Sequence, residues 1–341
     1  MLVGQFLSFG IGGADRASYC LTKGLVEVGI DVKVFYSDYS FPKGSSQVRG
    51  PILSRYDQIS SLGVPMIKIN DASELNNHGL SLLNTHRSGD DLWLIQNLEN
   101  ITTDFKIVET NFHGNLKTKA DIRVFPSYEM IKTRSISVPY TVIPNPIMCK
   151  LTDDDFRSEF NLDGKFVFGS FGRPGADIYS YTALGAFKLI ENADNYFLYI
   201  APHSLVTNAV DRLGLRNLKF IDATLDDLIL DKLYNTIDVL CHSNGLGETF
   251  GNTIAEAMIH SKPVVSHLGS DWPQAQKELL RKYSETYVCA DDINVYSKRM
   301  SNLMNDEQAY IDYSKYVKDK ADRLYDYRIV TQKYIDLYNN L

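Results

Sequence analysis

The sequence predicts an α/β protein of two domains, each an open, mostly parallel sheet covered by helices. Three observations predict it. Short apolar runs alternate along the whole chain with amphipathic stretches of helical period, the order that parallel sheets require. A length of 341 residues is enough for two separate cores. Two prolines in Val142-Ile143-Pro144-Asn145-Pro146-Ile147 interrupt the alternation near the middle, where regular structure must stop.

Taken in order, the first half offers strands at Val3–Phe9, Val32–Tyr36, Met66–Ile69, Leu92–Gln96, Lys106–Thr110, Ile122–Pro126 and Thr141–Ile143, with a helix over Asp15–Val28. The second half opens with Thr152-Asp153-Asp154-Asp155-Phe156. An acidic run of this kind invites a metal reading. A helix start explains it better, with Thr152 as the cap and the acids in a first turn that the helix dipole favours. Strands follow at Phe166–Phe171, Phe197–Ala201, Leu218–Ile221, Ile237–Ser243 and Val264–His267, with a helix over Thr253–His260. From about Asp306 the tail is helical, and Tyr310, Tyr313, Tyr316, Tyr325, Tyr327, Tyr334 and Tyr338 are expected to form a packing face. The expected domains are 1–145, joined by a C-terminal helix at about 322–341, and 146–321.

Composition narrows the function. A hydrophobic content of 44% and a charged content of 23% are those of an ordinary globular chain. There is no apolar run long enough to span a bilayer. Met1-Leu2-Val3-Gly4-Gln5-Phe6-Leu7 lacks a basic start and a cleavable apolar core, so it reads as a first strand and not as a secretory signal. Cys20, Cys149, Cys241 and Cys289 lack metal-ligand spacing and fit reduced thiols, so a cytoplasmic protein is expected. Net charge is −7: residues 1–150 hold 15 Lys+Arg against 14 Asp+Glu, and the rest 35−15 = 20 against 42−14 = 28. No globally basic surface exists to coat nucleic acid, although a local groove is compatible with these numbers. No basic amphipathic helix marks a membrane-surface binder.

The most informative stretch is Gly247-Glu248-Thr249-Phe250-Gly251-Asn252-Thr253-Ile254-Ala255-Glu256-Ala257-Met258. Between a buried strand and a helix, one glutamate lies in the loop and the other inside the helix. Gly251-Asn252-Thr253 between them offers helix-start N–H groups to an anion. Two carboxylates flanking a phosphate site suit a sugar nucleotide, one acid for the sugar hydroxyls and one for the ribose.

With the following Lys262-Pro263-Val264-Val265, this stretch resembles the E-x7-E signature of retaining GT-B glycosyltransferases, particularly glycosyltransferase family 4. The resemblance implies that Glu248 contacts the donor sugar and Glu256 the ribose. It also implies that Phe250, Gly251, Asn252 and Thr253 line the sugar and diphosphate. Ser261 stands where the family usually has glycine. If that position needs a positive φ, the serine is modestly strained.

Other stretches extend the resemblance from Gly10 to about Trp272. Gly10-Ile11-Gly12-Gly13-Ala14-Asp15-Arg16 begins like a dinucleotide fingerprint, and Asp38 at the second strand's end could hold a ribose. The third glycine is replaced by Asp15, which disfavours nicotinamide binding. The run is similar instead to the family's Gly-Gly-Ala-Glu-Arg turn, which implies that Gly12, Gly13 and Asp15 border the sugar and acceptor site. Ala120-Asp121-Ile122-Arg123-Val124-Phe125-Pro126-Ser127 and the Ile143-Pro144-Asn145 linker are also similar. His113 follows the strand Lys106–Thr110, at the edge where open sheets place ligands, and resembles the family's sugar-contacting histidine. His86 follows an apolar run and is a second cleft candidate. Arg173 follows Val167-Phe168-Gly169-Ser170-Phe171-Gly172; its forked charge suits a diphosphate. The lysine expected shortly after it is absent, and the next is Lys188.

The resemblance implies two Rossmann-like domains facing a cleft, with the C-terminal helix crossing back to the first. It implies sugar transfer from a nucleotide diphosphate sugar (UDP-, GDP- or other) with retention of configuration and no metal or other cofactor. Glu248, His113 and Arg173 would carry the chemistry. The acceptor could be a glycan, lipid-linked glycan, protein or modified nucleobase. The alternatives are a GT-B nucleotide-sugar epimerase and a catalytically silent protein that binds a nucleotide sugar or glycan.

Overall fold

Parallel strand pairing organises both halves of the chain. The computed structural model describes residues 1–41, 53–86, 91–113, 116–132, 134–270 and 273–341. One unit is built from Met1–Gly44, Ile52–Met148 and Leu324–Leu341, and the other from Cys149–Arg323.

The first unit has strands β1 (Leu2–Phe6), β2 (Asp31–Tyr36), β3 (Met66–Lys68), β4 (Leu82–Thr85), β5 (Lys106–Thr110), β6 (Ile122–Phe125) and β7 (Tyr140–Val142). They pair in parallel in the order β3-β2-β1-β4-β5-β6-β7. Helices α1 (Gly13–Glu27), α2 (Tyr56–Ser60) and α3 (Leu92–Leu98) connect them. Phe6, Phe35, Leu83, Leu94, Leu98 and Ile107 form one buried cluster, and Trp93 stacks on Phe6 at 5.1 Å.

Here one expectation is overturned. Leu92–Gln96 is not a strand but the start of α3. The Asp91 carboxylate accepts from Leu94 N–H at 2.9 Å, and Leu94 and Leu98 share the buried face. The strand between β1 and β5 is Leu82–Thr85 instead, hidden in sequence by its polar half. Asn84 and Thr85 are fully buried because their polar atoms are bonded internally.

The C-terminal helix Tyr327–Asn339 belongs to this unit. Its hydroxyls reach into the sheet. Tyr338 Oη accepts from Asn84 Nδ2 at 2.7 Å, and Tyr334 Oη lies 3.2 Å from Thr110 Oγ1. Tyr327 Oη donates to Glu27 Oε2 at 2.6 Å. Gly24 of α1 is required by close approach, since a Cβ there would overlap Thr331 Oγ1. Ile147, just inside the unit boundary, forms a parallel bridge with Asp326.

The second unit pairs β8 (Phe166–Ser170), β9 (Asn195–Ile200), β10 (Leu218–Ile221), β11 (Val239–His242), β12 (Val264–His267) and β13 (Val288–Cys289) in the order β10-β9-β8-β11-β12-β13, all parallel. This repeats the order of the first six strands of the other sheet. Its helices are α4 (Thr182–Ile190), α5 (Ser204–Leu213), α6 (Asp227–Thr236), α7 (Asn252–Ile259), α8 (Ala275–Leu280), α9 (Ser284–Tyr287), α10 (Ile293–Asn305) and α11 (Glu307–Leu324); the C-terminal helix is α12. Strand order reverses between β1 and β4, and again between β8 and β11, the switch points where such sheets place ligands.

No helix follows Thr152. Its hydroxyl accepts from Asp154 N–H at 3.0 Å and the Asp155 carboxylate from Arg157 N–H at 2.8 Å. Successive side-chain turns thus take the backbone donors a helix start would have used. The tail tyrosines do pack. Tyr313 is fully buried and stacks on Tyr283 and Tyr287, with centroids 4.1 and 4.8 Å apart. Lys320 Nζ donates to the carbonyls of Glu278 (2.8 Å) and Leu279, capping α8. Burial lowers this ammonium to about 8.

Candidate functional site

The loop from β11 to α7 holds Glu248 by its backbone first. Glu248 N–H donates to Pro273 O at 2.8 Å, and Ala275 N–H donates to Glu248 O at 3.0 Å. Gln274 closes the neighbouring turn, its Oε1 accepting from Gly269 N–H at 3.0 Å. Gly269 has to be glycine: a Cβ would overlap Gly247 N and the Leu246 carbonyl. Gly251 has a φ of 98°, so the chain turns into α7 through a left-handed residue.

Among the described residues, one oxygen of the Glu248 carboxylate carries its side-chain contacts. Oε1 accepts from His242 Nε2 at 2.9 Å and from Asn244 Nδ2 at 3.0 Å. Among the described residues Oε2 has no partner, and the side chain is 19% exposed. The Asn244 amide is oriented by Leu246 N–H, which donates to its Oδ1 at 3.0 Å.

Helix α7 begins at Asn252 with no side-chain cap on Gly251. Its first i→i−4 bond is Ala255 N–H to Gly251 O at 3.1 Å, so the amides of Asn252, Thr253 and Ile254 head the helix. Phe250 is buried beside this start. One turn on, the buried Glu256 accepts from Tyr234 Oη at 2.7 Å. The Tyr234 ring stacks on Phe171 at 4.0 Å and on His260 at 5.0 Å. Ser261 ends the helix with a φ of 62°, the conformation that glycine favours. The cost of a non-glycine residue there is about 1 kcal/mol. Ser261 N–H to Met258 O (3.0 Å) and Lys262 N–H to Ala257 O (2.9 Å) offset it.

Arg173 lies on the loop after β8. Both of its terminal nitrogens are paired with the Asp177 carboxylate, Nη1 to Oδ1 at 3.0 Å and Nη2 to Oδ2. That pairing lowers the Asp177 pKa. Both side chains are exposed, and the loop is joined to that of Glu248 by Gly245 N–H to Ile178 O at 3.3 Å and by a Tyr179–Asn244 bridge.

In the first unit, Gly12 caps α1 and Gly13 begins it. Asp15 closes this turn on itself: Oδ1 accepts from Ser8 Oγ at 2.5 Å and Oδ2 from Gly12 N–H at 3.1 Å. His86 sits just past β4, at the switch point. It is buried, with Nε2 at 2.5 Å from Gln5 Oε1 and Nδ1 without a partner among the described residues. Burial pushes this imidazole down to about 3. His113 is exposed after β5; the neighbouring Gly114, like Trp272, lies outside the described residues. The turn carrying His113 is braced by a buried pair, Arg123 Nε to Glu109 Oε2 at 2.9 Å, with Asn111 Nδ2 donating to Glu109 Oε1 at 2.6 Å. Burial raises the Glu109 pKa while Asn111 and Arg123 oppose the rise.

Sequence reasoning missed His242, Asn244, Gln274, Tyr234 and Asp177. The last stands four residues from Arg173, a spacing that could have signalled the pair. The others meet their partners across the sheet or between loops and carry no local mark.

No family model matches this chain, and no curated protein matches it in sequence. Solved structures do match its fold. An Anabaena protein, HepE, solved in complex with UDP and glucose, superposes with a TM-score of 0.78 at 15% identity, over 100% of this chain and 99% of its own. A glycosyltransferase from Rickettsia africae gives 0.75 at 14%, covering 99% and 98%. Sucrose-phosphate synthase from Thermosynechococcus elongatus gives 0.74 at 14%, covering 100% and 98%. With both sheets parallel and the likeness running the full length, the chain has the GT-B fold of two Rossmann-like domains.

Proposed function

We propose that the protein is a glycosyltransferase of the family 4 type that moves a sugar from a nucleoside diphosphate donor to an acceptor with retention of configuration. One observation carries this reading. Glu248 presents a carboxylate oxygen with no partner among the described residues, and the α7 helix start at Gly251 lies between it and the buried Glu256. That arrangement offers an acceptor for sugar hydroxyls, a dipole for the diphosphate and a second acid for the ribose. Because HepE was solved with UDP and with glucose, UDP-glucose is the first donor to try.

In this mechanism the α7 amides stabilise the leaving diphosphate, the main electrostatic task of the reaction. Arg173 joins them once it releases Asp177. The departing phosphate takes the acceptor proton on the same face, so no side chain need serve as base. His113 would position the sugar, and Gly12, Gly13, Asp15 and His86 would lie on the acceptor side. The reaction would need no metal and would occur in the cytoplasm. A thermal-shift panel of nucleoside diphosphates, followed by anomeric NMR of fresh product with and without EDTA, tests the reading. A nucleotide at a hundredfold over its Kd stabilises by about 2.7 kcal/mol. Absence of any nucleotide response refutes the reading, an inverted product refutes retention, and activity lost with EDTA and restored by Mg²⁺ or Mn²⁺ refutes metal independence.

A second reading has its own observation. Arg173 is occupied by Asp177, and no lysine lies between it and Lys188. A silent nucleotide-sugar binder would show the thermal shift without turnover in the presence of any acceptor. An epimerase would release nucleotide without an acceptor.

A further inference from the structure

We propose that His242 is a positioning residue that aims the free oxygen of Glu248 at the donor sugar. The inference rests on the glycosyl-transfer reading above and deepens it.

The register of β11 and β12 places His242 opposite Ser266. In-register neighbours on parallel strands share a face, so the two side chains meet, with Ser266 Oγ 2.9 Å from His242 Nδ1. The serine has one proton. Its other contact, His267 O, is 3.4 Å away. Glu248 Oε1 can only accept, so Nε2 carries a ring proton, and in that tautomer Nδ1 is the acceptor for the Ser266 hydroxyl. Nε2–H then donates to Glu248 Oε1 at 2.9 Å. The relay runs from Ser266 through His242 to the carboxylate, and the order of donors fixes the tautomer.

The relay is rigid. His242 and Ser266 are buried, and Tyr296 Oη lies 2.7 Å from Val265 O and 3.1 Å from the His242 carbonyl. Asn244 supplies a second donor to the same oxygen. Two donors on Oε1 hold the carboxylate plane and leave Oε2 as the acceptor for a sugar hydroxyl. A carboxylate on a glycine-flanked loop would otherwise rotate, and misplacement of a positioning group by about 1 Å costs on the order of a hundredfold in rate. His242 does not touch substrate in this scheme and acts only through Glu248.

The test uses the full chain and whichever of UDP-glucose, GDP-mannose or ADP-glucose the wild type consumes. His242→Ala is expected to lower kcat by about ten- to a hundredfold, the range for a lost hydrogen bond to a charged group, with donor KM within about threefold. His242→Gln, which offers one N–H and one acceptor as neutral histidine does, is expected to restore kcat to within about threefold of wild type. Ser266→Ala perturbs the relay one residue further away and should produce a smaller fall of the same kind. In a Glu248→Ala background, His242→Ala should cost almost nothing more, because its effect passes through the missing carboxylate. An unchanged kcat in His242→Ala, failure of glutamine to rescue, or a full additional loss in the double variant overturns the role of His242. A wild type that binds no nucleoside diphosphate and consumes no donor overturns the underlying reading, and this is seen before any variant is made.

Discussion

The helices α1 and α7 both follow a strand at a switch point through a glycine-rich turn, yet their starts are used in opposite ways. At α1 the protein supplies its own anion, because Asp15 takes the Gly12 amide and the Ser8 hydroxyl. At α7 the N-cap is Gly251, which has no side chain to cap with, and the nearby carboxylate of Glu248 is held by His242 and Asn244. The polar groups around the two sheets differ in the same way. In the first unit Asn84, Thr110, Tyr334 and Tyr338 bond to one another and fasten α12. In the second, His242 and Asn244 converge on one oxygen of a carboxylate whose other oxygen has no partner among the described residues. A shared strand order thus specifies where a ligand can go. In the proposed reading, Asp15 closes the α1 start on itself and the α7 start receives the external anion.

The contrast breaks most severely at Glu248. Glu248→Ala should lower turnover by about a hundred- to a thousandfold, of the order seen when one transition-state hydrogen-bonding group is removed, with nucleotide binding and Tm nearly unchanged. Steady-state kinetics beside a nucleotide titration checks this; unchanged kcat removes Glu248 from the site.

Next comes the buried His86 in the first unit. Its folded pKa of about 3 lies below the unfolded value near 6.5, so the unfolded chain binds the extra proton between those limits. Its contribution to stability is therefore full above pH 6.5 and falls as pH drops towards 3. The loss is about 2 kcal/mol by pH 5. Denaturant melts of wild type and His86→Gln across pH 5–7.5 should converge as pH falls; parallel curves contradict the assignment.

Thr253→Asp gives α7 a carboxylate of its own and sharpens the comparison directly. The first-turn charge should leave the helix intact while weakening nucleoside diphosphate binding about tenfold. Calorimetric titration measures it, and unaltered affinity would place the phosphates elsewhere. The smallest effect is expected for Asp15→Ala. Loss of the α1 cap should cost about 1 kcal/mol of stability, read as a lower denaturation midpoint of similar slope. No change would mean that solvent caps the turn equally well.

Much of the molecule was legible before folding was considered. The alternation of apolar runs with helical stretches is a local property, and it located parallel strands in both halves. The exceptions are instructive. Leu92–Gln96 is apolar enough for a strand, but Asp91 caps it and Leu94 and Leu98 align on a helical face. Leu82–Thr85 is central to its sheet although two of its four residues are polar. Their partners lie as far away as Tyr338, 254 positions along the chain. Thr152 and its acids look like a helix start, yet they form turns because the Thr152 and Asp155 side chains take the backbone donors of Asp154 and Arg157.

The same division runs through the candidate site. The sequence by itself determined the strand–loop–helix setting of Glu248 and Glu256 and the consequence of a serine at position 261, whereas the left-handed turn at Gly251 came from the structure. Each depends on backbone geometry within a few residues. Only the tertiary structure decided which Glu248 oxygen is held by His242 and Asn244, because Ser266 reaches His242 from 24 positions away through the register of two strands. It also decided that Gly269 admits the Leu246–Gly247 backbone and that Tyr234 supplies the proton to Glu256. Local periodicity and capping follow from short-range sterics and dipoles, which neighbouring residues encode. Hydrogen-bond partners across a sheet follow from register and packing, which no short stretch of sequence specifies.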